Sequence, residues 1–338
     1  MPEPGARPGR AAAARAGTGR GADLKVALVI PTLNGGELFG RALEMWVAQQ
    51  DVGKLELVCP DSGSRDGTVD RLRAAGARIP AIARGSFNHG ETRNRAVAVT
   101  TADFVILSVQ DAVPVSTAVA RELVAPLVRD PGLAATYGRQ QPRPGCHPVL
   151  VERIGGWAGG SEPVVQELRG RAWDALEPLQ RLALVRYDHV LACVRRTAWE
   201  KQRFEPADFG EDVRWAARVV RGGGRIAFAP AAVVEHSHER SAFDEARRIY
   251  CDHANLRELV GLVAVPSRKA IPGNVAAARA HYRALVEAHT DVDATTRALW
   301  LAWGHKLAEY ENWAQYLGAR CSRRWWFAPV DHWLRRGI

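Results

Sequence analysis

Between residues 24 and 112 the chain alternates two kinds of segment, and no other feature restricts its fold as much. Short, β-branched apolar runs end abruptly: LKVALVIPT (24–32), stopped by Pro31, LELVCPDS (55–62), RIPAIAR (78–84) and DFVILSVQDA (103–112). Runs that are apolar throughout, rather than at every second residue, suit strands buried on both faces. Between them lie ELFGRALEMWVAQQ (37–50), with Leu38, Ala42, Met45 and Trp46 on one helical face, TVDRLRAAG (68–76), closed by a glycine, and ETRNRAVAVT (91–100). Such alternation predicts an α/β fold, a mainly parallel sheet covered by helices on both faces. Pro80 lacks a backbone donor and places 78–84 near an edge.

Ligands of such sheets bind beyond the carboxyl ends of the strands. Asn34, Asp61 and Asp111 each follow a strand, so the three share one rim. The second half is less regular. Residues 141–162, rich in Gly and Pro, read as a long loop. DHVLACVRR (188–196) reads as a strand followed by a short helix, TAWEKQ. EDVRWAARVVRGGG (211–224) is a helix opened by acids and closed by glycines. RIAFAPAAVVEHSH (225–238) is strand-like and broken at Pro230, and from about Phe243 the chain is helical. The plan is a disordered leader over 1–22, an α/β domain over 23–262 with halves 23–140 and 141–262, and a helical extension over 263–338.

The formal charge of +9 suggests nucleic acid until its distribution is read. Residues 1–22 hold four Arg against Glu3, and residues 318–338 hold five Arg against Asp331. The body between them is close to neutral and offers no basic face to a nucleic acid. Cys59, Cys146, Cys193, Cys251 and Cys321 are odd in number and contain no C-x-x-C, which predicts reduced thiols rather than a disulfide or zinc framework. The chain has neither an apolar run long enough to span a bilayer nor a signal-peptide pattern. A cytoplasmic location follows as an expectation. Trp313, Trp325, Trp326 and Trp333, set among the C-terminal arginines, suit peripheral contact with the inner face of a membrane. Packing of these helices on the catalytic domain or on another subunit is the alternative.

Individual residues divide between chemistry and ordinary structure. Asp66, before GTVDRL, makes a good helix cap; Asp61, set back at the strand end, suits a cap-like role or a base or ribose contact equally. Asp111, ending a very apolar strand, is placed to hold Mg2+ or Mn2+ on a diphosphate, or simply closes a turn before Pro114. Glu211 and Asp212 complement a helix dipole, or supply a general base. His236 and His238 fall on one side of an extended segment, where one of them could bind metal. FNHGETRN (87–94) opens a helix whose free N–H groups and Arg93 could grip an anion; Glu91 fits an ordinary capped start. No G-x-x-x-x-G-K-[ST] and no G-x-S-x-G occurs.

Taken in order, VALVIPTLNGG, DSGSRDGT, FNHGETRN, VQDAVP, YGRQ and FGEDVRWA resemble the family 2 glycosyltransferases over about residues 24–260, and more narrowly their rhamnosyltransferase branch. The resemblance implies a GT-A fold and inverting transfer of a sugar, a deoxyhexose such as rhamnose, from a dTDP- or UDP-sugar donor to an acceptor hydroxyl on a glycan, a lipid-linked molecule or a small molecule. It implies Pro31, Thr32, Asn34, Asp61, Arg93 and Gln110 at the nucleotide, and Arg139, Gln140 and Trp215 at the sugar or acceptor. It further implies Asp212 as base with Glu211 beside it, and Asp111 with His236 at Mg2+ or Mn2+. Other readings are a family 2 transferase for another hexose, a nucleotidyltransferase, and a binder without catalysis. PTLNGGELFG carries no base before Arg41, against the second; Asp111 and Asp212 stand against the third.

Overall fold

The computed structural model describes residues 24–207 and 209–337; the expected leader over 1–22 lies outside them. Strands β1 (Val26–Val29), β2 (Glu56–Val58) and β3 (Phe104–Ser108) appear where the apolar runs predict them, with helices α1 (Gly36–Val47), α2 (Thr68–Ala74) and α3 (His89–Ala98) between. β1 pairs in parallel with both β2 and β3. Along β1 the side chains alternate, Leu28 entering one core with Phe39, Trp46 and Leu72, and Ala27 and Val29 the other with Trp215 and Val220. Both faces are covered, which is why the run reads as continuously apolar.

The chain continues through β4 (Val113–Pro114), α4 (Val119–Arg129), β5 (Leu133–Gln141), α5 (Pro148–Ala158), β6 (Val164–Gln166), α6 (Pro178–Val185), β7 (Leu191–Arg195), α7 (Arg196–Lys201), α8 (Glu211–Arg221) and β8 (Arg225–Glu235). One sheet runs in the order β2-β1-β3-β7-β5-β8-β4, with β6 also paired to β8. β7 enters antiparallel between β3 and β5, whereas β5 and β8 are parallel. Helices α9 (Ala242–Leu259), α10 (Ile271–Glu287), α11 (Ala294–Arg320) and α12 (Ala328–Arg335) form the expected helical C-terminal region. Their own apolar core joins Tyr250, Leu307, Phe327 and Leu334 to Val149 of α5.

Local expectations change in four places. Residues 78–84 form no strand; they touch the sheet through two isolated bridges, Val58 to Arg78 and Asp61 to Ala81, with Pro80 unable to donate between them. The expected loop over 141–162 contains α5, which Pro148 starts at its first turn and His147 caps by accepting from Val149 N. Pro230 does not end β8, because the register shift opposite Gly138 and Arg139 absorbs it as a bulge. The buried face of α1 is Phe39, Ala42, Leu43 and Trp46, rotated from the expected one because Leu38 and Met45 lie at its margins. The five cysteines are free and buried.

Candidate active site

Beyond the carboxyl end of β3, Asp111 meets the segment that leaves β8. Antiparallel pairing of Val113 with Glu235 fixes the approach. His236 Nε2 lies 3.7 Å from Asp111 Oδ1, and His238 Nδ1 lies 3.4 Å from Asp111 Oδ2. One ligand atom from each of the three falls within 4.8 Å of the others. The His236 ring is held from behind: Nδ1 donates to Gln140 Oε1 at 2.9 Å, and Gln140 Nε2 donates to Asp188 Oδ2 at 3.0 Å. With that proton engaged, Nε2 turns its lone pair toward Asp111, the orientation a metal-ligating histidine needs. Burial holds both imidazoles below their usual basicity, His236 at about 4, so both are neutral at pH 7. A carboxylate and two neutral imidazoles on one rim fit Mn2+, and Mg2+ less closely, because imidazole suits the softer ion.

The second group stands at the start of α8. Gly210 enters the helix with a φ of 75°, in the left-handed region, where a side chain would also strike Asn255. The two acids that follow are treated differently. Glu211 Oε1 accepts from Arg93 Nη1 at 2.6 Å and lies 3.1 Å from His189 Nδ1. Burial works against its charge, but Arg93 and then His189 outweigh it, and the carboxyl stays far below its usual range. Among the described residues Asp212 has no cation in contact. It accepts from Val213 N at 2.8 Å and from His189 N at 3.3 Å. Burial, then the charges of Glu211 and Asp188, push it well above the ordinary carboxylate range. Glu211 and Asp212, expected together at the catalytic centre, differ in their contacts: the ion pair with Arg93 makes Glu211 a structural anion, and Asp212 is left out of it. His189, Glu211 and Asp212 also place ligand atoms within 4.8 Å of one another, but Arg93 already supplies positive charge there.

His236 and His238 of the first group and Glu211 and Asp212 of the second line one cavity of about 610 Å3, together with Gln140, Asp188 and Arg240. Asp188 receives hydrogen bonds from Trp157 Nε1, Gln140 Nε2 and Val190 N, each at 3.0 Å. Burial outweighs these donors and raises its carboxyl to about 6. Nothing local in DHVLACVRR singles out Asp188 or His189. Their signal is positional, since both precede a strand that runs away from the rim.

Thr32, Asn34, Asp61 and Gln110, expected at the nucleotide, meet as a knot of loops outside that cavity. Asp61 has all four acceptor positions filled, by Thr32 Oγ1 at 3.0 Å, Ser64 Oγ at 2.5 Å, Gly63 N at 2.8 Å and Ser64 N at 2.9 Å. Burial raises its proton affinity, but these donors together lower it below the ordinary value. Asn34, at a φ of 47°, donates through its backbone N to Ser64 Oγ and accepts from Arg65 N. Gln110 clamps the same loop, accepting from Leu33 N at 2.9 Å and donating to Leu33 O at 3.2 Å. Asp66 accepts from Thr68 N and from Gly36 N, tying the start of α2 to the loop after Pro31, while the cap position itself is Gly67.

FNHGETRN works differently from the anion grip. Asn88 caps α3 by accepting from Glu91 N at 3.1 Å, and accepts from Ala207 N at 3.0 Å. Asn94 donates to Phe204 O at 2.8 Å and accepts from Trp199 Nε1 at 2.9 Å. Arg93, only 3% exposed, is committed to Glu211, which corrects its expected role as a diphosphate fork. The segment buckles α3 to residues 199–211. Gly90 permits it, because a Cβ there would collide with the carbonyl oxygen of Glu205. Gly90→Ala is therefore expected to lower the unfolding free energy by about 1–3 kcal/mol, measured by urea titration. Trp215 is also corrected. It is fully buried beside Tyr187 and Phe204 and donates to Gln202 O at 2.5 Å, so it is core rather than sugar contact. Gln140 lines the cavity, while its neighbour Arg139 does not.

A metal-capable triad and, in the cavity its histidines line, a carboxylate facing no cation among the described residues, with the loop knot outside, suit a group-transfer enzyme. A family model described as Glycosyltransferase like family 2 matches residues 23–249, and the chain belongs to the family 2 glycosyltransferases. It is 31% identical over 233 residues to the O-antigen chain rhamnosyltransferase RfbN of Salmonella typhimurium, covering 67% of this chain and 71% of that protein. It is 28% identical over 228 residues to the O-antigen chain rhamnosyltransferase WbaN of Salmonella anatum, covering 66% and 69%. Among solved structures it resembles the mannosyltransferase PcManGT of Pyrobaculum calidifontis in complex with GDP-Man and Mn2+, at 18% identity, a TM-score of 0.54 and 88% coverage of each chain. That likeness is one of fold, GT-A.

Proposed function

We propose that the chain transfers a deoxyhexose, rhamnose or a close relative, from a dTDP- or UDP-sugar to an acceptor hydroxyl with inversion. The observation that carries this reading is Asp212, a half-buried carboxylate with no cation partner among the described residues, facing the cavity lined by His236 and His238, which cluster with Asp111. The rhamnosyltransferases named above support the sugar. The acceptor oxygen attacks the anomeric carbon from the face opposite the diphosphate and gives its proton to Asp212. The bond from that carbon to the diphosphate oxygen breaks as the new one forms, and the departing group takes the electron pair. Asp111, His236 and His238 would hold Mn2+ or Mg2+, which when bound offsets the charge gathered on the leaving diphosphate. Gln140 keeps His236 in the ligating orientation. The Thr32, Asn34, Asp61 and Gln110 loops hold the nucleotide side in shape, with Pro31 closing β1.

Thermal shift with nucleoside diphosphates tests the binding half of this reading. A ligand at about 100 times its Kd adds about 2.7 kcal/mol to the folded state. dTDP or UDP with Mn2+ is expected to raise Tm more than the sum of either alone, and His238→Ala to remove that excess. No excess in the unaltered protein would overturn the metal assignment. Turnover of a panel of dTDP- and UDP-sugars, read by mass spectrometry, then identifies the donor; preference for a non-deoxy hexose would overturn the sugar.

A further inference from the structure

The segment after α11 carries two apolar stripes where a surface helix needs one. Phe327, Asp331 and Leu334 face the protein. Phe327 and Leu334 are buried, and Asp331 accepts from the Tyr250 hydroxyl and from Arg335 Nε. Trp326, Val330 and Trp333, also spaced i, i+4, i+7, form a second stripe that faces solvent at 54%, 42% and 55% exposure, and Trp325 beside it is 87% exposed. Phe243 and Tyr310 extend the patch, with ring centroids 5.5 Å from Trp333 to Phe243 and 5.9 Å from Phe243 to Tyr310. A contiguous aromatic face of this kind marks a surface that something covers.

Charge identifies the occupant. Arg323 and Arg324 precede the stripe and Arg336 follows it, all exposed. The sole acid of residues 318–338 is Asp331, already neutralised by Arg335 at 2.8 Å. Arg323 reaches Glu258 at 2.7 Å, whereas Arg324 and Arg336 have no acid partner among the described residues. Tryptophan rings framed by such cations match the boundary of an anionic bilayer, where indole sits at headgroup level and guanidinium meets phosphate. No helix among the described residues is long and apolar enough to cross a membrane. We infer that Trp325, Trp326, Val330 and Trp333 with Arg323, Arg324 and Arg336 form a docking face for an anionic lipid surface.

The face is rigidly coupled to the cavity. Arg247 on α9 donates to the carbonyls of Trp333, Leu334 and Arg336 at the end of α12. Another side of α9 presents Arg248, Ile249 and Asp252 to the 610 Å3 cavity. Docking therefore holds the cavity beside the lipid. If the transfer proposed above is correct, that placement suits an acceptor hydroxyl presented from the membrane.

Co-sedimentation of the full chain with vesicles tests the face without reference to activity. Binding is expected to vesicles of equal parts phosphatidylglycerol and phosphatidylcholine, to weaken on phosphatidylcholine alone, and to fall with added salt. Replacing Trp325, Trp326 and Trp333 together by Ala should weaken binding tenfold or more. Arg324→Gln and Arg336→Gln should each weaken it roughly fivefold. These side chains are exposed, so far-UV circular dichroism and the urea midpoint should match the unaltered protein. Equal binding of the triple variant, or no binding to either vesicle, would overturn the inference. So would a dimer in light scattering that the triple variant abolishes, which would assign the face to a second copy.

Discussion

Asp212→Asn is expected to lower the turnover number by about 10²–10⁴-fold, the span of a lost acid–base group, while nucleoside diphosphate affinity changes little. The substitution keeps shape and removes only the proton acceptor. The unaltered enzyme should also show a distinctive pH profile. A base works when ionised, and Asp212 holds its proton above the ordinary carboxylate range because it is buried beside Glu211 and Asp188. Turnover should therefore rise with pH through that raised value and fall away on its acid side. Steady-state rates across pH, with isothermal titration for the nucleotide, check both parts. Turnover that survives in Asp212→Asn would remove Asp212 from the mechanism.

Glu211→Gln is expected to lower the unfolding free energy by about 3–5 kcal/mol, because it strands the charge of Arg93 inside the protein. The pair lies between α3 and α8, both side chains almost fully buried, and its loss should loosen the buckle formed by FNHGETRN. Urea titration measures the loss. Arg93→Met combined with Glu211→Gln should recover part of it, since no unpaired charge remains. The single variant also has a kinetic signature. Removing the negative charge at 211 relieves the pressure on Asp212, so the acid limb of the pH profile should move to lower pH. An unchanged limb would show that Glu211 does not set the base.

Much of the site was legible where chemistry follows a strand. Asp111 ends a very apolar run, and H-x-H follows another, so both were candidates from residue type and position alone. That both imidazoles reach Asp111 depends on the antiparallel pairing of β4 with β8. Arg93 shows the opposite case. An arginine in the first turns of a helix after a polar loop reads as an anion site, and locally that is sound. Its partner, Glu211, is 118 positions away, and no local pattern announces an ion pair at that separation. Trp215 misleads for a similar reason, since a motif neighbour of Asp212 proves to be part of the core.

Runs such as VALVIP and FVILS, short, β-branched and apolar throughout, suit strands covered on both faces. Strand-end carboxylates, an E-D pair opening a helix and two histidines beyond a last strand were written in the chain as a list of possible chemistry. Folding assigned the roles. β7 runs back between β3 and β5, bringing Asp188 and His189 to the rim and closing the cavity over α8. Within that cavity burial and contact divided two adjacent acids, pairing Glu211 with Arg93 and leaving Asp212 with its proton affinity raised. Proton affinity depends on what surrounds a carboxyl, and Arg93, Asp188 and His189, which set these two apart, lie more than twenty residues away in the chain.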